Sequence, residues 1–173
     1  YCPGKGTPMK SVSKLLPGEA MIVHKGKIRD IWKWYQPVFF KKKNKNFISK
    51  NDAIEGTRNH LRSAIKRQMV ADVPVGAFLS GGLDSSAIVS FAREQKKDIK
   101  CFTIESSDKS EHEGIDDLPY ARKVAKHLDV PLEVVKINSN KMASDIENMV
   151  KILDEPLADP ASLNVLYISR LAR

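Results

Sequence analysis

The sequence predicts an α/β fold: a parallel sheet with helices on both faces, preceded by a β-hairpin. Three observations carry that expectation. Beyond residue 72, short apolar runs alternate with segments of helical period. The first run passes into a helical pattern through Ser80-Gly81-Gly82-Leu83-Asp84-Ser85-Ser86, the order strand, glycine turn, helix. Before residue 49 no helical period occurs. Strands separated by helices imply a parallel sheet covered on both sides.

The elements follow in order. Leu16-Pro17-Gly18 is turn-like. Residues 20–24 read as a strand, Lys25-Gly26 as a tight turn and residues 27–35 as a second strand. Such a hairpin is too small to be stable alone. The run Lys41-Lys42-Lys43-Asn44-Lys45 then reads as a linker. Ser49 with Asp52 three residues on resembles a helix cap. Ile54, Thr57, Leu61, Ile65 and Met69 recur at helical spacing behind it. Residues 73–79 are the first strand of the sheet, with Pro74 at its tolerated start. Residues 85–95 form a helix and 99–104 the second strand. A helix over 117–128 carries Leu118, Ala121, Val124, Ala125 and Leu128 on one face. Residues 132–137 are the third strand. Helices are expected over 140–153 and 163–171, joined by a loop through residues 155–160. Two regions result: 1–48, hairpin and linker from the end of an upstream domain, and 49–173, the nucleotide-binding part.

Composition sets the frame. The chain has 173 residues, 42% hydrophobic and 29% charged, as in an ordinary globular domain. No stretch approaches the length of a membrane span, so no membrane partner is expected. Cys2 and Cys101 have no metal-like spacing, which favours a reduced, cytoplasmic setting. The chain starts at Tyr1 without a signal-like run and ends on a helical pattern. It reads as a piece of a longer protein. The formal charge is +8. Part of it lies in the lysine run and part on Arg58, Arg62, Lys66 and Arg67. No aromatics interleave with those lysines, so solvated surfaces explain them better than a nucleic-acid site.

The loop at Ser80–Ser86 carries the chemistry. A helix N-terminus and a row of backbone N–H groups favour a phosphate or pyrophosphate. Gly81 and Gly82 let backbone approach the anion without a Cβ in the way. Serines add hydroxyl donors. Asp84 would repel a polyphosphate unless a cation sits between them, which points to Mg²⁺. An N-cap carboxylate is the plain alternative for Asp84.

That string, SGGLDSS, resembles the pyrophosphate loop of the N-type ATP pyrophosphatases. The longer run from Asp72 through Val73-Pro74-Val75-Gly76-Ala77-Phe78-Leu79 into the loop is similar to the glutamine-hydrolysing asparagine synthetases. Leu16-Pro17-Gly18 with its hairpin, Phe102-Thr103-Ile104, and residues 154–160 (Asp154-Glu155-Pro156 onward) agree with that branch. The resemblance implies an adenine nucleotide α-hydrolase-like sheet, incomplete in this chain. It also implies ATP-dependent amide formation through an acyl-adenylate, with aspartate or another carboxylate as acceptor and ammonia from glutamine. Phe78, Leu79, Ser80, Gly81, Gly82, Leu83, Asp84, Ser85, Ser86 and Ile104 would hold ATP, with Asp84 on Mg²⁺. Phe78 and Ile104 would flank the nucleotide, and backbone groups would recognise adenine. A homodimer of the full-length protein is left open.

The family's glutaminase nucleophile stands at the start of the whole protein, so Cys2 is not read as one. The acidic glycine motif that supplies the family's catalytic glutamate lies past Arg173. No catalytic residue is therefore named, and the chain by itself is expected to be inactive. A tRNA-modifying ligase and a non-catalytic nucleotide-binding domain are the alternatives.

Weaker signals have plainer readings. Gly4-Lys5-Gly6-Thr7 lacks the full spacing of a phosphate loop. His24, His60, His112 and His127 form no ligand pair. Glu113, Asp116 and Asp117 suit a helix start better than a metal cluster. Trp32, Trp34 and Tyr35 alternate as packed strand residues do. Asp154, Glu155 and Asp159 either face a cleft or cap helices.

Overall fold

A computed structural model describes residues 2–37, 48–107, 117–159 and 161–173. They fall into two compact units, one drawn from Tyr1–Phe47 and Leu153–Ala158, the other from Ile48–Ile152 and Asp159–Arg173. The lysine run, His112, Glu113 and Asp116 lie outside the described residues. Among those residues no helix is long and apolar enough to cross a membrane.

In the smaller unit, β1 (Glu19–His24) pairs antiparallel with β2 (Lys27–Lys33). Lys25 and Gly26 turn the chain with φ of 49° and 73°, both left-handed. A two-residue hairpin turn needs that conformation to match the strand twist. β2 stops at Lys33, two residues short of the expected end. Trp34 and Tyr35 lie beyond the ladder, their rings tilted by 41° with centroids 5.8 Å apart. Both are exposed, and Trp32 is 40% exposed, so the expected packing of these aromatics is not what forms. Lys14 ties the unit together by donating to Cys2 O and to Glu155 Oε2, at 2.6 and 2.8 Å.

The larger unit begins with α1 (Lys50–Gln68), capped as expected: Ser49 Oγ accepts from the Asp52 amide at 3.1 Å. Of its apolar positions only Ile65 is buried, while Ile54 and Leu61 stay exposed. There follow β3 (Ala77–Phe78), α2 (Leu83–Gln95), β4 (Cys101–Ser106), α3 (Leu118–Leu128), β5 (Leu132–Ile137), α4 (Ser139–Ile152) and α5 (Ala161–Ala172). The sheet order is β3-β4-β5, all parallel. β3 is much shorter than the run 73–79. Pro74 has no N–H to give a ladder, and Val73 is 70% exposed. Gly76 passes so near Lys100 O and the Phe102 ring that a Cβ there would touch both.

Register assigns each side chain to a face. Ala77, Leu79, Cys101, Thr103 and Leu132 share one face; Phe78, Phe102, Ile104, Val135 and Ile137 share the other. The first face packs with Ile65, Val89, Ala92, Ala121 and Ala125, from α1, α2 and α3. The second packs with Met142, Met149, Leu163 and Tyr167, from α4 and α5. Helices thus cover both faces. Tyr167 Oη donates to Asp145 Oδ2 at 2.8 Å and so joins α5 to α4.

Cys101 lies at the centre of this sheet, fully buried. Burial pushes its thiol up from an ordinary 9.0 to about 11. The native state therefore favours the neutral thiol. Its contribution to stability is complete below pH 9 and is lost as pH rises through about 11. Iodoacetamide at pH 8 is expected to modify Cys2, which is half-buried, while Cys101 reacts only as fast as the protein unfolds. Equal labelling rates would contradict this placement.

Candidate functional site

The candidate site is the turn that carries β3 into α2. Leu79 fixes its near end. The Leu79 amide donates to Phe102 O at 2.8 Å, and its side chain is 1% exposed. The pairings Ala77↔Cys101 and Phe78↔Phe102, continued two residues, bring Ser80 level with Ile104. The loop thus stands at the C-terminal end of the sheet, where open α/β sheets bind ligands.

Gly81 fixes the far end. Its φ is +82°, and a Cβ there would fall on the backbone of Tyr120 and Ala121. The loop therefore lies directly on the first turn of α3. Gly82 is the N-cap of α2, extended at φ −69° and ψ 166°, with no side-chain cap bond. The first intrahelical bond runs from the Ser86 amide to Gly82 O at 3.0 Å. The amides of Leu83, Asp84 and Ser85 precede it and have no helical carbonyl to bind. They and the α2 dipole favour an anion at this point.

The serines divide their tasks. Ser80 Oγ and Ser85 Oγ are 2.9 Å apart. The Gly82 amide donates to Ser80 Oγ at 3.3 Å, and Ser85 Oγ donates to Gly82 O at 3.2 Å. These two hydroxyls brace the loop against itself. Ser86 Oγ is different: it is buried and has no hydrogen-bond partner. Asp84 stands in the first turn of α2, exposed, so it is not the N-cap. Among the described residues its carboxylate makes no hydrogen bond or ion pair. Leu83 is 85% exposed at the same rim.

Two expected site residues sit differently. Phe78 turns its side chain to the α5 side of the sheet, into a cleft of about 540 Å³ shared with Val75, Lys100, Phe102 and Arg173. Ile104 packs its side chain with Tyr167, Leu163 and Val135. Only backbone groups of Ile104 are left to face the loop. Lys100 O and Phe102 O point to β3, where they accept from Ala77 and Leu79. By the alternation of a parallel ladder, the Ile104 peptide groups point the same way, past the end of β3.

The remaining acids resolve plainly. Asp159 Oδ1 accepts from the Ala161 amide at 2.9 Å, at the start of α5. Glu155 pairs with Lys14, whose ammonium holds the carboxyl below its ordinary range. Asp117 is the N-cap of α3 but makes no side-chain cap bond. Among the described residues no three His, Cys, Asp or Glu side chains gather as a metal site. One residue escaped the sequence reading. Glu105, near the C-terminal end of β4, has Oε2 buried without a hydrogen bond, 3.3 Å from Lys136 Nζ. Its only sequence signal is an acid following an apolar strand.

Against known families, the asparagine synthase family model matches residues 56–173, the segment that holds the loop and the whole sheet. The chain belongs to the asparagine synthase family. Amidase chyE of Penicillium rubens is 28% identical over 167 residues, covering 88% of this chain and 24% of that protein. Asparagine synthetase [glutamine-hydrolyzing] 1 of Bacillus subtilis is 31% identical over 120 residues, 69% of this chain and 18% of that one. A putative asparagine synthetase [glutamine-hydrolyzing] 2 of Methanocaldococcus jannaschii is 30% identical across 100% of this chain and 32% of its own length. The chain thus spans less than a third of each of these family relatives.

The two glycines should respond unequally to alanine. Gly81→Ala forces a left-handed alanine into the α3 backbone and is expected to cost at least about 2 kcal/mol. Gly82→Ala meets only Ser80 Oγ, at 3.3 Å, and should cost less than about 1 kcal/mol. Urea unfolding of both variants would measure the difference, and equal losses would contradict the close approach at Gly81.

Proposed function

We propose that this chain supplies the ATP-binding part of an enzyme that forms an amide on a carboxylate. ATP would adenylate the acceptor, and ammonia drawn from glutamine would displace AMP. Membership of the asparagine synthase family supports the reaction class. Names of relatives such as the Bacillus subtilis synthetase favour aspartate as acceptor. The single observation that carries the reading is the loop itself. Its left-handed Gly81, uncapped Gly82 and three open amides shape a cradle for pyrophosphate.

The residues fit a bound Mg-pyrophosphate group. Ser86 Oγ is a buried hydroxyl in want of an acceptor. Unpartnered buried polar groups cost about 1–3 kcal/mol, and a phosphate oxygen would remove that cost. Mg²⁺ takes few protein carboxylates and completes its shell with phosphate oxygens and water. A lone Asp84 at the rim suits that habit. Bound there, Mg²⁺ would neutralise charge that grows on the leaving pyrophosphate.

The chain's own groups would do the rest. The amides of Leu83, Asp84 and Ser85 gain most as the bond to the α-phosphorus breaks, so they favour the transition state over bound ATP. They need no reorganisation, because Gly81 is clamped on α3 and Ser80 is tied to Ser85. Adenine would be read by the free peptide groups of Ile104, and Leu83 would cover the phosphates from the solvent side.

Isothermal calorimetry on the protein as its gene encodes it tests this reading. Mg-ATP is expected to bind, with affinity falling roughly tenfold or more in Asp84→Ala. With EDTA present that loss should vanish, and Asp84→Ala should bind ATP at least as tightly as wild type, because the bare carboxylate only repels the phosphates. Equal Mg-ATP affinity with Mg²⁺ present would remove Asp84 from the metal.

A further inference from the structure

A second carboxylate, outside the loop, stands where the sheet would meet the sugar of a nucleotide. Glu105 precedes the last residue of β4 and pairs in register with Lys136 of β5. It follows Ile104 directly, one residue beyond the strand position that stands level with Ser80 at the start of the loop. Its side chain shares the sheet face of Leu79, Cys101 and Thr103, the face covered by α2 and α3. It therefore points to the same side as the loop.

The Glu105 carboxylate is held but not satisfied. Lys136 Nζ lies 3.3 Å from Oε2, yet the approach does not meet hydrogen-bond geometry, and Oε2 is buried without a bond. A buried carboxylate oxygen with no hydrogen-bond donor loses water and recovers only part of that cost from a nearby ammonium. The side chain is 29% exposed, so a ligand can reach it from the open end of the sheet. Lys136, 73% exposed, offsets charge that would otherwise repel a nearby phosphate.

In β-loop-α-β units that bind nucleotides at a glycine turn, an acid at the end of the second strand, roughly twenty residues past the glycines, accepts from ribose hydroxyls. β3, α2 and β4 form such a unit in the same neighbouring order. A nucleotide with pyrophosphate on the loop and adenine at Ile104 would carry its ribose between them.

We propose that Glu105 accepts hydrogen bonds from the ribose hydroxyls of the bound nucleotide and selects ribonucleotides. Lys136 is a positioning residue, holding the carboxylate upright through the ion pair. This inference rests on the ATP-binding reading above.

Calorimetry with Mg-ATP and with Mg-2′,3′-dideoxy-ATP tests it, using the protein as its gene encodes it. Wild type should bind ATP roughly ten- to hundredfold more tightly than the dideoxy form. Glu105→Ala should weaken ATP to the level of the dideoxy compound and leave the latter unchanged. Glu105→Gln, which retains one acceptor oxygen, should discriminate to an intermediate degree. Lys136→Met keeps the acceptor and should discriminate more than Glu105→Ala. If Glu105→Ala weakens both nucleotides equally, or neither, the ribose role is overturned while ATP binding stands. If wild type binds no Mg-ATP, the ATP-binding reading fails and this one with it.

Discussion

The site depends on one close approach: Gly81 laid against the first turn of α3. No side chain but hydrogen fits between the loop and the backbone of Tyr120 and Ala121. That contact sets where the chain must turn after β3, and so where α2 begins. Ala121, on the α3 side, is itself fully buried and small. Larger side chains there would push α3 away and open the cradle. The left-handed φ at Gly81 costs little for glycine and about 1–3 kcal/mol for other residues. The loop's shape is thus bound to the packing of a helix far along the sequence.

Packing supports that contact from beneath. Leu79 anchors the loop in the same apolar cluster that holds Val89 and Ala92 of α2 and Ala121 and Ala125 of α3. The segments before and after the turn are therefore immobilised by one core. The hydroxyl pair of Ser80 and Ser85 closes the turn across its mouth. A site built this way has its donors in place before a ligand arrives, which is what stabilisation of a developing charge requires. Exposed groups at the rim, Asp84 and Leu83, carry no such restraint and are free to meet a ligand.

The two faces of the sheet serve different ends. The face under α1, α2 and α3 carries the loop and Glu105, and its chemistry is polar at the C-terminal edge. The face under α4 and α5 carries Ile104, Val135 and Ile137, which pack with Leu163 and Tyr167 of α5. Ile104 takes part in both: its side chain stabilises the second face while its peptide groups turn to the loop. A substitution there would disturb packing first.

The order of elements, the capped start of α1 and the glycine turn were all legible in the sequence, because each depends on local signals. Helical period, the Ser49–Asp52 spacing and paired glycines act within a few residues of themselves. The resemblance of SGGLDSS to a known loop was likewise a local string. What the sequence could not decide was which distant residues meet. The close approach of Gly76 to Lys100 and Phe102 brings distant residues together; the turning of Phe78 into a cleft depends on which face register allots it. The place of Glu105 near the loop follows from the parallel register of β3, β4 and β5. Parallel strands are joined only through intervening helices, so their register is set by packing across the whole unit and not by any one segment of the chain.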